Sequence, residues 1–291
     1  METRWMYVTI EELSILREEA KGVCVIPMGC VEKHGLHLPL GTDILEGSRV
    51  AYMASQLEPV CVFPDYIFGD VPDNSPERPL GSVTVPVELN MKMLETLCEQ
   101  IAMSGFRKIV VYNAHGGNCM WLRTFQRNLG VRRHDFVFVI FDVSLPAPHA
   151  MAELLQKEGL QAIPELEPED AELLLKYHEQ EMLIGHACFG ETANIMGICP
   201  DAVKLDRLGV ESGLPTGKSK PYNDVGLCVV DGGWGLEFPN AYAGHDPIGC
   251  NERIGRAALR LEAERFANAL KVLKDDELLL QEHNRSWHTN I

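Results

Sequence analysis

Fifteen residues from Gly29 to Asp43, GCVEKHGLHLPLGTD, hold two carboxylates, two histidines, a lysine, three glycines and a proline. Glu32 and His34 are two apart, so an extended loop would project both side chains the same way. Asp43 closes the stretch where a helix is expected to begin. A carboxylate there is favoured by the helix N-terminus, and it reads equally as a cap or as a metal ligand. Lys33 and His37 read as supporting residues rather than ligands.

Two further clusters carry chemistry. Asn113–Asn118 reads NAHGGN and follows the apolar run KIVVY. Its two glycines remove side chains where a ligand must approach the backbone, and successive N–H groups there can hold an anion. A tight strand-to-helix turn with an incidental histidine at 115 is the competing reading. The third cluster, HACFGET, places His186 five residues before Glu191. Glu191 also reads as a carboxylate of a helical first turn.

Together Glu32, His34, Asp43, His115 and Glu191 supply two imidazoles and three carboxylates, a donor set that suits zinc, manganese or iron. A catalytic zinc usually keeps three protein ligands and an open position. Five donors suit two adjacent ions better, with one carboxylate between them and a metal-activated hydroxide as the nucleophile. Cys30, Cys119 and Cys188 lie beside these clusters and read as packing around them.

The elements that must position these residues alternate in type. Val23–Pro27, Val60–Pro64, Lys108–Tyr112 and Phe136–Phe141 are continuous apolar runs, as in strands of a parallel sheet covered on both faces. Helical patterns fall at 44–57, 90–104 and 118–132 between them, which predicts a βαβ architecture. Further helices are expected at 149–158, 168–184, 191–198 and 249–274. A Pro- and Gly-rich loop at 65–82 and a long Gly-, Pro- and Asp-rich segment at 209–247 connect them. In such sheets ligands bind beyond the carboxyl ends of the strands, where Glu32 and His115 fall. With no repeat or linker, residues 1–291 read as one domain.

The net charge of −16 argues against a nucleic-acid partner, which would need clustered Lys and Arg. No apolar run is long enough to span a bilayer, and Met1–Leu13 lacks a secretory pattern. Nine cysteines without a Cys-x-x-Cys pair suit a reducing compartment. The expected location is cytoplasmic.

The blocks PMGCVEKHGLHLPLGTD, NAHGGN and HACFGETANIMGICPDAV, in this order and spread over roughly residues 20 to 260, resemble the creatininase (creatinine amidohydrolase) family. The resemblance implies a three-layer α/β/α sandwich with a mostly parallel central sheet, a binuclear centre of divalent ions and a homo-oligomer, commonly a hexamer. It implies hydrolysis of a small-molecule amide at a non-peptide C–N bond. By position, Glu32, Asp43 and His115 would bind one metal and His34, Asp43 and Glu191 the other. His186 would handle protons at the reacting amide, although it also reads as a residue orienting Glu191. Gly116, Gly117 and Asn118 would shape the substrate wall. Two departures point away from creatinine and towards another cyclic amide or a formamide. Gly116 and Gly117 replace a tyrosine and a metal-binding glutamate, and residues 150–185 contain no tryptophan to hold a flat substrate. Trp234, in a Gly-rich turn, reads as a loop anchor, with stacking on a substrate ring as the alternative.

Overall fold

Four buried runs form one parallel sheet: β1 (Val23–Met28), β2 (Cys61–Val62), β3 (Lys108–Asn113) and β4 (Val137–Asp142), in the order β2-β1-β3-β4. The computed structural model describes residues 1–71, 80–142, 147–229 and 233–286. Every residue of β1 and β3 is buried, as their unbroken apolar sequences require. Val25 sits between Val62 and Val110, and Val110 opposite Val139. Pro27 has no N–H to give. The carbonyls of Val25 and Pro27 both face the β2 side, where β2 has already ended at Val62, so no ladder bond is lost there.

Helix α1 (Ile10–Glu19) starts at a Thr9–Glu12 capping box and precedes the sheet. Helices α2 (Thr42–Leu57), α3 (Val87–Met103) and α4 (Asn118–Leu129) follow β1, β2 and β3 in turn. Helices α5 (Ala147–Glu158), α6 (Pro168–Glu179) and α7 (Phe189–Ile198) follow β4. Two one-turn helices, α8 (Lys220–Asn223) and α9 (Trp234–Glu237), lie in the long connecting segment. α10 (Glu252–Asp275) and α11 (Leu279–Ser286) come last. Helices cover both faces of the sheet, with α2 and α10 packed together beside β1 and with α3 and α4 packed together beside β3 and β4.

β1 connects outward to β2, whereas β3 connects the other way to β4. The crevice between the ends of β1 and β3 is therefore the topological switch point of the sheet, where ligands bind in open α/β folds. A main core of Ile26, Phe106, Val110, Leu122 and Phe266 locks the sheet to its helices. A second, built on Met151, Leu174, Phe189 and Ile254, seats α5, α6 and α7 against α10. Where α7 crosses α10, a side chain on Gly255 would overlap the Ala193 carbonyl oxygen. That close approach fixes the start of α7, and with it Glu191, relative to the sheet.

Several expected boundaries shift. The Val60–Pro64 strand shrinks to Cys61–Val62, and just beyond the Pro- and Gly-rich loop Val83 forms a bridge, antiparallel to Val31. The helix expected at 168–184 ends at Glu179. α1 carries little apolar periodicity and α11 is only eight residues long and strongly polar, and both are absent from the sequence reading. His134, expected at the surface, is buried beside Phe136. Residues 72–79 of the Pro- and Gly-rich loop, 230–232 of the long segment, and Trp287 and His288 lie outside the described residues. No helix among the described residues is long and apolar enough to cross a membrane.

Candidate metal centre

Asp43 stands at the second position of α2, whose N-cap is Gly41 and whose first turn has no side-chain cap. Its carboxylate is turned instead into the crevice, with Oδ1 3.0 Å from His34 Nε2 and Oδ2 2.9 Å from His115 Nδ1. Glu32 Oε1 lies 3.1 Å from His115 Nδ1, and Glu191 Oε2 lies 3.9 Å from His34 Nε2. The five residues thus form two groups that share Asp43: Glu32, Asp43 and His115 with Cys30, and His34, Asp43 and Glu191. Within each group the candidate ligand atoms all lie within 4.8 Å of one another.

Each imidazole is oriented by a carbonyl, which can only accept a hydrogen bond. His115 Nε2–H donates to the Asp70 carbonyl at 2.7 Å, leaving Nδ1 directed at Asp43 and Glu32. His34 Nδ1–H donates to the Glu32 carbonyl at 3.3 Å, leaving Nε2 for Asp43 and Glu191. His186 Nε2–H donates to the Lys33 carbonyl at 2.9 Å, and its Nδ1 faces Glu32 Oε1 at 3.8 Å. Fixed tautomers of this kind are what metal-binding histidines need. His37 donates through Nε2 to the Ala187 carbonyl at 3.1 Å and packs edge-on to Tyr242, so it supports the loop.

The electrostatics call for positive charge. Burial opposes ionisation of Asp43, but the flanking His34 and His115 hold its carboxyl well below the usual range. Glu32 behaves alike, with burial outweighed by His115 and His186. Burial would lower both imidazoles, yet Asp43, Glu191 and Glu32 raise His34 to about 10, and Glu32, Cys30 and Asp43 raise His115 well above its ordinary value. Burial raises Glu191, partly offset by His34 and His186. Buried Glu32 Oε1 also lacks a hydrogen bond. Protons on the two histidines therefore fill the role that divalent ions would take, and metal binding would displace them. The donor set and its charge balance fit two ions.

A cavity of about 440 Å³ opens onto this cluster and is lined by Gly116, Gly117, His186 and Trp234 together with ligand candidates. Asn118 does not line it. That residue is fully buried, its Oδ1 accepting from Asp70 N–H and Trp121 Nε1–H, each at 2.9 Å. The expectation that Asn118 shapes the substrate wall is corrected accordingly: it holds the Asp70 segment, which in turn holds His115. Gly117 is fixed by the same contact, because a Cβ there would overlap the Asp70 carbonyl oxygen and lie 2.5 Å from His115 Nε2.

Three other neighbours complete the site, of which the sequence reading leaves out Glu46. Cys30 Sγ donates to Asp43 Oδ2 at 3.1 Å, and burial beside Asp43 pushes its thiol well up, so it is a protonated supporting residue. Trp234 meets the His186 ring edge to face at 5.8 Å, bringing an aromatic wall to the cavity from the long segment. That segment is tied across the site by the His186–Ala243 backbone pair and by Lys33 Nζ, 2.8 Å from the Glu211 carboxylate. Burial, with Glu191 and Asp43 nearby, raises the carboxyl of Glu46, three residues beyond Asp43, well above its ordinary value. Its i, i+3 spacing from Asp43 was the available signal.

A parallel sheet with paired acid and histidine clusters at its switch point defines an α/β protein with a candidate binuclear metal centre. The model of the creatininase (creatinine amidohydrolase) family matches residues 7–270, so this chain belongs to that family and is a metal-dependent amidohydrolase. Among solved structures, it is similar to a Bacteroides fragilis protein assigned as a creatinine amidohydrolase, with 21% identity, a TM-score of 0.69, and 96% of this chain and 99% of that one covered. A manganese creatininase shows 19% identity and a TM-score of 0.69, with 95% and 100% covered. A Zn–Zn form of a creatininase variant shows 18% identity and a TM-score of 0.68, again with 95% and 100% covered. No curated protein sequence matched the chain.

Proposed function

We propose that this chain hydrolyses a small non-peptide amide, a cyclic amide or a formamide, at a centre of two divalent ions. Glu32, Asp43 and His115 would hold one ion and His34, Asp43 and Glu191 the other, with zinc, manganese or iron suited to this donor set. The observation that supports this reading most strongly is the Asp43 carboxylate, which turns one oxygen to each histidine. When bound, the ions supply Lewis acidity that polarises a carbonyl and acidifies water.

The chain's own residues supply the rest. His186, its Nε2–H held by the Lys33 carbonyl, keeps Nδ1 turned into the cavity, where it can hold a proton for the departing nitrogen. Gly116 and Gly117 leave the wall bare beside His115, so a substrate can approach the backbone. Trp234 gives the cavity one aromatic face from a different part of the chain than the tryptophan-free 150–185 region. Family membership supports assembly of the single creatininase-like unit as a homo-oligomer, a hexamer.

Metal-reconstituted protein assayed against creatinine, other cyclic amides, formamides and phosphoesters tests the proposal. Hydrolysis of a cyclic amide or formamide, abolished by a chelator and restored by metal, is expected. Turnover of phosphoesters alone would overturn the amide reading.

A further inference from the structure

Behind the metal-facing cavity lies a second chamber of about 270 Å³. The two share His115, Gly116, Gly185 and Glu191 as lining residues. A Cβ on Gly116 would meet nothing within 4 Å, so the space where they join is open. The chamber is therefore reached from the reacting centre.

Its walls are rich in hydrogen-bond acceptors. Glu46 and Asn194 line it, and Glu46 Oε1 and Asn194 Oδ1 are both buried without a hydrogen-bond partner. Glu262 also lines it, but its carboxylate is already held by Arg265 at 2.7 and 3.0 Å and by the Tyr112 hydroxyl at 3.3 Å. No lysine or arginine is among the described lining residues. Two buried acceptors left unmatched carry a substantial desolvation penalty, which a ligand bearing donors would relieve. Anions have no cationic side chain to meet there.

We propose that this chamber receives the non-reacting end of the amide substrate, and that this end carries N–H donors, as an amino, guanidino or ureido group does. Glu46 and Asn194 are its recognition pair. The inference rests on the amide-hydrolase reading and narrows it from any small amide to one with a donor-bearing tail.

The test uses metal-loaded full-length protein and three formamides with the same three-carbon spacer, ending in guanidinium, ureido or isobutyl groups. The guanidinium and ureido compounds are expected to exceed the isobutyl compound in kcat/KM by roughly tenfold or more, the scale of one buried hydrogen bond left unmade. Glu46→Leu and Asn194→Leu, checked for retained metal, should each bring that ratio towards 1. Comparing the guanidinium and ureido compounds tells whether the preference is for charge or for neutral donors. Calorimetric binding of propylguanidinium and propylurea gives a readout independent of turnover. Binding of either that is lost in Asn194→Leu, with no formamide hydrolysed, would refute the formamide reading and retain the chamber's role. Equal hydrolysis of all three formamides, or a ratio unchanged in both variants, would overturn the chamber's role and leave the hydrolase reading standing.

Discussion

His115 Nε2–H donates to the carbonyl oxygen of Asp70 at 2.7 Å, and this bond decides which ring nitrogen faces the acids. The carbonyl lies directly over Gly117, and Asn118 holds the same Asp70 residue through its N–H. His115, Gly117 and Asn118 of NAHGGN thus act as one device for aiming an imidazole.

A side chain at 117 should disturb that aim. Gly117→Ala forces the Asp70 carbonyl away from His115, and losing such an orienting bond costs about 10–100-fold in metal affinity. Competition with a chromogenic chelator measures it. An unchanged affinity would show that the Asp70 bond does not position His115.

His186 separates proton handling from metal holding. If its Nδ1 serves the departing nitrogen, His186→Ala should lower kcat by roughly 10²–10⁴-fold while bound metal per chain stays the same. Loss of metal in that variant would instead make His186 a support for the ligands beside it, Glu32 above all, which lies 3.8 Å away.

The metal-free protein should carry a distinct pH signature. His34 titrates at about 10 in the folded chain against an ordinary 6.5. Its contribution to stability is therefore fully present below about 6.5 and is lost as pH rises towards 10. Asp43 works in the opposite sense, its contribution disappearing as pH falls below the ordinary carboxylate range. Urea midpoints of chelated protein should fall between pH 6.5 and 10 relative to those of His34→Gln. Parallel curves for the two proteins would contradict the assignment.

Much of this centre was legible in the sequence because its ligands sit where buried strands end. The unbroken apolar runs of β1 and β3 fixed the strands, and the loops after them had to carry Glu32, His34 and His115 to the switch point. Asp43 was ambiguous, since helix starts attract carboxylates for capping alone, and only its two-sided contact with the histidines resolves its orientation. Asn118 misled for a related reason: a polar residue beside a glycine pair resembles a binding residue, yet its amide is spent on the Asp70 backbone and Trp121. Trp234 reaches the site through tertiary packing across a long sequence separation, which no local pattern reports.

Metal stoichiometry of the wild-type chain and of Asp43→Asn, by elemental mass spectrometry after dialysis, tests the central claim most directly. With Asp43 joining two ions, the wild type should hold two per chain, and Asp43→Asn should hold fewer than one and hydrolyse no amide. Two ions retained by an active Asp43→Asn, or a fully active wild type with none, would contradict it.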